Sequence, residues 1–152
     1  MIAQINVTTL KAPIDAPEIA DFKNNLDRIN QLAEQSDGFI WRLQDDSGNA
    51  TAIQMTDNPL LVLNLSVWLR FRDLHHYVFQ TAHKSIMMRR SEFFETDDRP
   101  SLALWHLPDD AAMPSVEDAF HRLEHLRNFG PSETAFGWAD HKKFTPKDYA
   151  GE

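Results

Sequence analysis

The order of strand-like and helix-like segments along the chain, β-α-β-β-α-β-α, predicts an α+β domain of the split-βαβ, ferredoxin-like kind (βαββαβ) with an extra C-terminal helix. Three observations carry that prediction. Short stretches alternate apolar and polar residues at period two, and longer ones repeat apolar residues at helical spacing. The stretch 60–94 joins a strand that is apolar on both faces to a long helical segment almost without a break. With 152 residues, one domain is expected, long enough to bury about two-thirds of its unfolded surface. Its boundaries are read as 1–131, with 132–152 a tail that packs on the domain or on a partner.

The first strand, 3–10, sends Ile5 and Val7 one way and Asn6 and Thr8 the other. Asp15 suits a helix cap and Pro17 and Glu18 a first turn, after which Ile19, Phe22, Leu26, Ile29 and Ala33 repeat at helical spacing until Gly38. Residues 39–44 alternate, so Phe39, Trp41 and Leu43 are expected on one face and Ile40, Arg42 and Gln44 on the other. A polar loop at 46–49 is followed by a short strand extension at 52–55 and a turn at Asp57-Asn58-Pro59. The third strand, 60–68, is apolar on both faces and is therefore expected to be central and covered on both sides. Residues 71–95 read as a bent helix, with Phe79, Ala82, Ile86 and Phe93 sharing a face. Pro100 stops it, 102–107 supplies the fourth strand, and Pro114 and Ser115 open a last helix, 116–129, ended by Gly130-Pro131. The aromatic residues of the tail, Phe136, Trp138, Phe144 and Tyr149, imply that it packs. In this topology two helices cover one sheet face, and the other is left for a second copy of the chain, which predicts a homodimer.

Composition narrows the function. A formal net charge of −8 argues against nucleic acid or anionic lipid as a partner. Nothing is apolar for long enough to span a membrane, and the amino-terminal stretch does not read as a signal peptide. The absence of cysteine removes disulfides, thiolate zinc sites and thiol nucleophiles, and fits a reducing compartment; a cytoplasmic location is expected. No GxGxxG, P-loop or GxSxG pattern supports nucleotide binding or serine hydrolysis.

Among the polar residues, His83 lies at the edge of an apolar helix face, where a neutral imidazole can ligate iron or act as a general base; the plainer reading is a half-buried histidine bonded to a carbonyl or to an Asp or Glu on the next element. His75 and His76 diverge by about 100° on a helix, and His76 and His83 lie about 10 Å apart along its axis, so neither pair shares an ion. His121 and His125 have i, i+4 spacing, but on the solvent face, and no metal is expected there. Asn6, Arg42, Gln44 and Asn64 are polar residues on apolar strands. Walled by Trp41, Trp68, Trp105 and Phe79, they resemble the lining of a small-molecule cavity; otherwise Arg42 and Gln44 face solvent or a partner. Arg89 and Arg90 either clamp a ligand carboxylate or pair with Glu92, Glu95 and the acidic pair at 97–98.

The segments GFIWRLQ (38–44), NLSVW (64–68), AHKSIMMRRSEFF (82–94) and RLEHLRNFGPSETAF (122–136) resemble a bacterial family catalogued as domain of unknown function 3291. The resemblance covers nearly the whole chain up to Phe136. It implies the dimeric α+β barrel superfamily, which includes antibiotic-biosynthesis monooxygenases, haem-degrading monooxygenases and chlorite dismutase-like haem proteins. A local resemblance to the haem-degrading members places Asn6 and the Ala82-His83-Lys84 sequence beside a haem; those enzymes also carry a tryptophan about three turns before the histidine, and residues 73–76 here contain none.

Residues and resemblance together lead to a small-molecule-binding protein, monooxygenase-like, that acts on a hydrophobic or aromatic substrate. His83 would serve as base or polariser and Asn6 and Asn64 would orient the ligand, in a site completed by Trp41, Arg42, Trp68, Phe79, Trp105 and Arg90. The alternatives are a haem protein with His83 as axial ligand, and a non-enzymatic binding or stress-associated dimer whose pocket is filled by Trp68 and Phe79.

Overall fold

The computed structural model describes residues 1–45, 48, 56–81 and 83–147. Four strands, β1 (Ile2–Thr9), β2 (Phe39–Arg42), β3 (Leu61–Trp68) and β4 (Leu102–His106), form one open sheet in the order β2-β3-β1-β4, antiparallel throughout. Between and after them come helices α1 (Ala20–Glu34), α2 (Phe71–Gln80), α3 (His83–Met88), α4 (Arg90–Phe93), α5 (Val116–Phe129) and α6 (His141–Phe144). The extension expected at 52–55, most of the 46–49 loop, Ala82 and Tyr149 lie outside the described residues.

Period-two alternation divides β1 between two interiors. Ala3, Ile5 and Val7 join Leu63, Leu65, Val67 and Trp105 in a cluster closed by Ala119, Leu123 and Leu126 of α5. This is the face expected to await a second copy, and it already carries a helix. Helix α5 forms as its sequence dictates: the Ser115 hydroxyl accepts the Asp118 N–H at 3.0 Å, Glu117 and Asp118 sit in the first turn, and Gly130 ends it at φ +79°. Burying Leu123 there is worth about 1.5–3 kcal/mol, more than the cap's roughly 1 kcal/mol, so α5 is held chiefly by the sheet.

On the opposite face, Ile2, Trp68 and Leu104 pack under Ala33 of α1, Leu74, Tyr77 and Val78 of α2, and Phe136 of the tail. Phe136 is fully buried and exchanges two backbone hydrogen bonds with Leu104, so this part of the tail lies against β4 of its own chain. Leu10, Ile19, Phe22 and Phe93 close the far end.

Two local expectations are corrected. Phe39 and Trp41 do not share a face: a bulge lets Phe39 pair with Trp68 and Trp41 with Val67, on opposite sides of β3, and the extra residue reverses the alternation. The 71–95 segment is three helices. The Thr81 hydroxyl donates to the Tyr77 carbonyl at 2.5 Å and accepts from the His83 N–H at 3.3 Å, and Thr81 itself is extended, so α2 stops and α3 starts again in a new direction. A second break at Arg89 precedes α4. The expected stripe therefore splits: Phe79 joins the Trp68 cluster, and Ile86 and Phe93 join the one at the far end.

Candidate functional site

Between the sheet and the helices lies a cavity of about 470 Å³, within the ~300–1,000 Å³ typical of small-molecule sites. The even-numbered positions of β1 and β3 make its floor. Gln4, Asn6, Thr8, Asn64 and Ser66 form a polar row, and Arg42 extends it on β2. The roof is mostly apolar, from Leu26 and Ile29 of α1, Tyr77 and Val78 of α2, and Ile86 and Met87 of α3, with Asn25 and Asn30 of α1 as polar exceptions.

The floor is organised by hydrogen bonds that follow from the register, in which Gln4 faces Ser66 and Asn6 faces Asn64. The buried Gln4 amide donates to Asn64 Oδ1 at 2.5 Å and to Ser66 Oγ at 3.0 Å. Ser66 Oγ also accepts the indole N–H of the fully buried Trp68, at 3.0 Å. Asn64 thus spends its carbonyl oxygen within the protein and keeps its NH₂ as a donor for a ligand.

His83, the first residue of α3, borders the same cavity. Its Nδ1 lies 3.3 Å from the Val78 carbonyl, which can only accept, so Nδ1 carries the proton and the neutral ring keeps its lone pair on Nε2. Burial lowers the imidazole pKa below 6.5 and the Val78 contact only partly opposes it, so the ring is neutral at pH 7. Beside it, at 4.9 Å between centroids, stands Tyr77, which stacks on Trp68 at 5.0 Å and donates its hydroxyl to the Ile29 carbonyl at 3.2 Å. Burial pushes the Tyr77 phenol far above its usual range, against the pull of Arg42.

The structure therefore gathers His83, Asn6, Asn64, Arg42, Trp68 and Arg90 around one hollow. It does not bring Trp41, Trp105 or Phe79 there. Trp41 and Trp105 face the α5 side of the sheet, Trp41 because of the bulge and Trp105 because it pairs with Ala3, an inward position of the other cluster. Phe79 packs at 4.6 Å on His75 and 5.2 Å on Trp138. Trp68 is a wall and leaves the space open. Gln4, Ser66, Tyr77 and Trp138 also line the cavity, a place the sequence did not suggest for them. Period two would have found Gln4 with Asn6, whereas the sequence marks Trp138 only as a packing aromatic of the tail.

Arg42 is paired with Glu34 at 2.8 Å, and Arg89 with Glu92 and Asp21. Away from the cavity, His141 stacks flat on Phe71 at 3.6 Å and lies 5.7 Å from His106. Burial, His141 and the amino terminus push His106 down to about 4. Burial also lowers His141. Among the described residues, no three His, Asp or Glu side chains cluster as metal ligands would.

A family model described as "Domain of unknown function (DUF3291)" matches residues 1–150. No curated protein and no solved structure matches the chain.

Proposed function

Because the chain belongs to the DUF3291 family, whose description names no activity, we propose a function from the cavity: it binds a small hydrophobic molecule and removes a proton from it with His83. The observation that carries this reading is that His83, Asn6 and Asn64, from three separate elements, border one hollow. A neutral imidazole with its lone pair on Nε2 is a general base near physiological pH. The NH₂ of Asn64, with the amide of Asn6 opposite it, supplies donors for a carbonyl oxygen that gains charge as the neighbouring C–H is lost. The monooxygenase-like assignment that the superfamily resemblance implies would begin with this same step.

The probe is 2-tetralone, an apolar ketone with an acidic C–H. Binding is read by calorimetry, and proton removal by deuterium uptake at C1 in D₂O. Wild type should bind it and speed exchange. His83→Ala should still bind but lose about 10²-fold in exchange rate, and Met87→Trp, which fills the cavity, should abolish binding. Exchange unchanged in His83→Ala would leave a binding protein without this chemistry, and no binding to wild type would remove the cavity reading.

Haem fits this site poorly. A porphyrin needs apolar contact on both faces, and its inner face would lie on the row of amides and hydroxyls from Gln4 to Ser66, displacing their other partners. The strand order, with α1 to α4 on one face, supports the ferredoxin-like assignment. Homodimerisation as an α+β barrel is supported by the resemblance alone, since the sheet face such a dimer would pair carries α5.

A further inference from the structure

We propose that the cavity selects a hydrophobic ring compound that carries one carboxylate, held by Arg90 at the mouth while the ring lies inside. This rests on the cavity being a small-molecule site, as argued above, and adds the chemical class of the ligand. The first observation is the charge of the lining. The chain holds 23 acidic residues and a net charge of −8, yet no described residue that lines the cavity is Asp or Glu, whereas Arg42 and Arg90 both are there. In a protein that is acidic overall, the described lining of this hollow holds two guanidinium groups and no carboxylate.

The second observation separates the two arginines. Arg42 is mostly buried and neutralised by Glu34 at 2.8 Å. Arg90 borders the cavity, is exposed, and has no ion pair among the described residues, although its neighbour Arg89 pairs with both Glu92 and Asp21. Its planar fork is the charge left to match a carboxylate. An exposed guanidinium at the rim and apolar residues behind it, Ile86 and Met87 among them, suit an amphipathic acid: the anion stays partly solvated at the rim, and only the ring is desolvated.

The test compares 2-naphthoate with 2-naphthamide, which share size and shape and differ in charge, with binding followed by calorimetry. Wild type at low salt should bind the acid about three- to tenfold more tightly than the amide. That preference should shrink at 0.5 M salt, disappear in Arg90→Gln and largely persist in Arg90→Lys, with the loss in Arg90→Gln falling on the acid more than on the amide. Equal binding of acid and amide, or a preference that survives in Arg90→Gln, overturns the proposal while leaving the cavity reading intact. Failure of both probes to bind overturns both. Arg90 is exposed, so its variants should unfold at the wild-type temperature, and a variant that does not is replaced by Arg90→Ala in the same comparison.

Discussion

Ser66 shows how one small side chain organises the floor of the cavity. Its oxygen accepts from both the Trp68 indole and the Gln4 amide, so Ser66→Ala leaves two buried donors without that acceptor. The expected cost is about 1–3 kcal/mol in urea unfolding, well above that of losing one net hydrogen bond; a cost near zero would mean that the two donors find other partners. At this scale the sequence was partly readable. Asn6, Asn64 and His83 stood out because polar groups on apolar strands and helix faces need a reason to be there, and all three border the hollow. For the tryptophans, position on the strand outranks residue type. Trp105 alternates with Leu104 on β4, and its pairing with Ala3 sends it to the α5 side whatever its chemistry.

Among the elements, the break between α2 and α3 positions the candidate base. Thr81 holds both helix ends with one hydroxyl, and an unbroken helix would carry His83 round with the phase of α2. Thr81→Val keeps size and branching and removes the hydroxyl. It should cost roughly 1 kcal/mol of stability but weaken 2-tetralone binding or exchange by about tenfold, whereas a purely structural threonine would change stability alone. The bend was visible in the sequence as a loss of helical phase, but its place was not, since a threonine within a helix marks a break only once its hydroxyl is seen bonding backward. The bulge in β2 was hidden for a related reason: an extra residue in a short strand leaves each half alternating correctly. Helix α5 was fully readable, because Ser115, two acidic residues and Gly130 mark its ends in one-dimensional form.

The molecule as a whole is a sheet with helices on both faces, tied together by its tail. The α+β class was legible; that α5 covers the second sheet face was not, because an amphipathic helix does not state which surface it will meet. The tail is fastened by Phe136 on Leu104 and by His141 between Phe71 and His106, and this gives a pH dependence with a definite sign. His106 titrates near 4 in the folded chain against 6.5 unfolded, with His141, the amino terminus and Lys142 as the neighbouring positive groups, and Asp109 on the amino terminus as the opposing one. The unfolded state binds the proton first. Stability is therefore full above pH 6.5, falls as the pH drops from 6.5 towards 4, and loses nothing further from this group below that. Thermal unfolding across that window should fall steeply for wild type and less steeply for His106→Gln; parallel curves would show that the pair does not govern the acid limb.

The chain has four tryptophans, two for each face of the sheet: Trp68 and Trp138 at the cavity, Trp41 and Trp105 under α5. Their four indole N–H resonances in a ¹⁵N spectrum, recorded while 2-naphthamide is titrated, report directly on where a small molecule goes. Binding between the sheet and α1 to α3 predicts that the Trp68 and Trp138 signals move together with the His83 ring, and that those of Trp41 and Trp105 stay in place. Movement of the Trp41 and Trp105 signals instead, or of none, would contradict the claim that the hollow bordered by His83, Asn6 and Asn64 is the site.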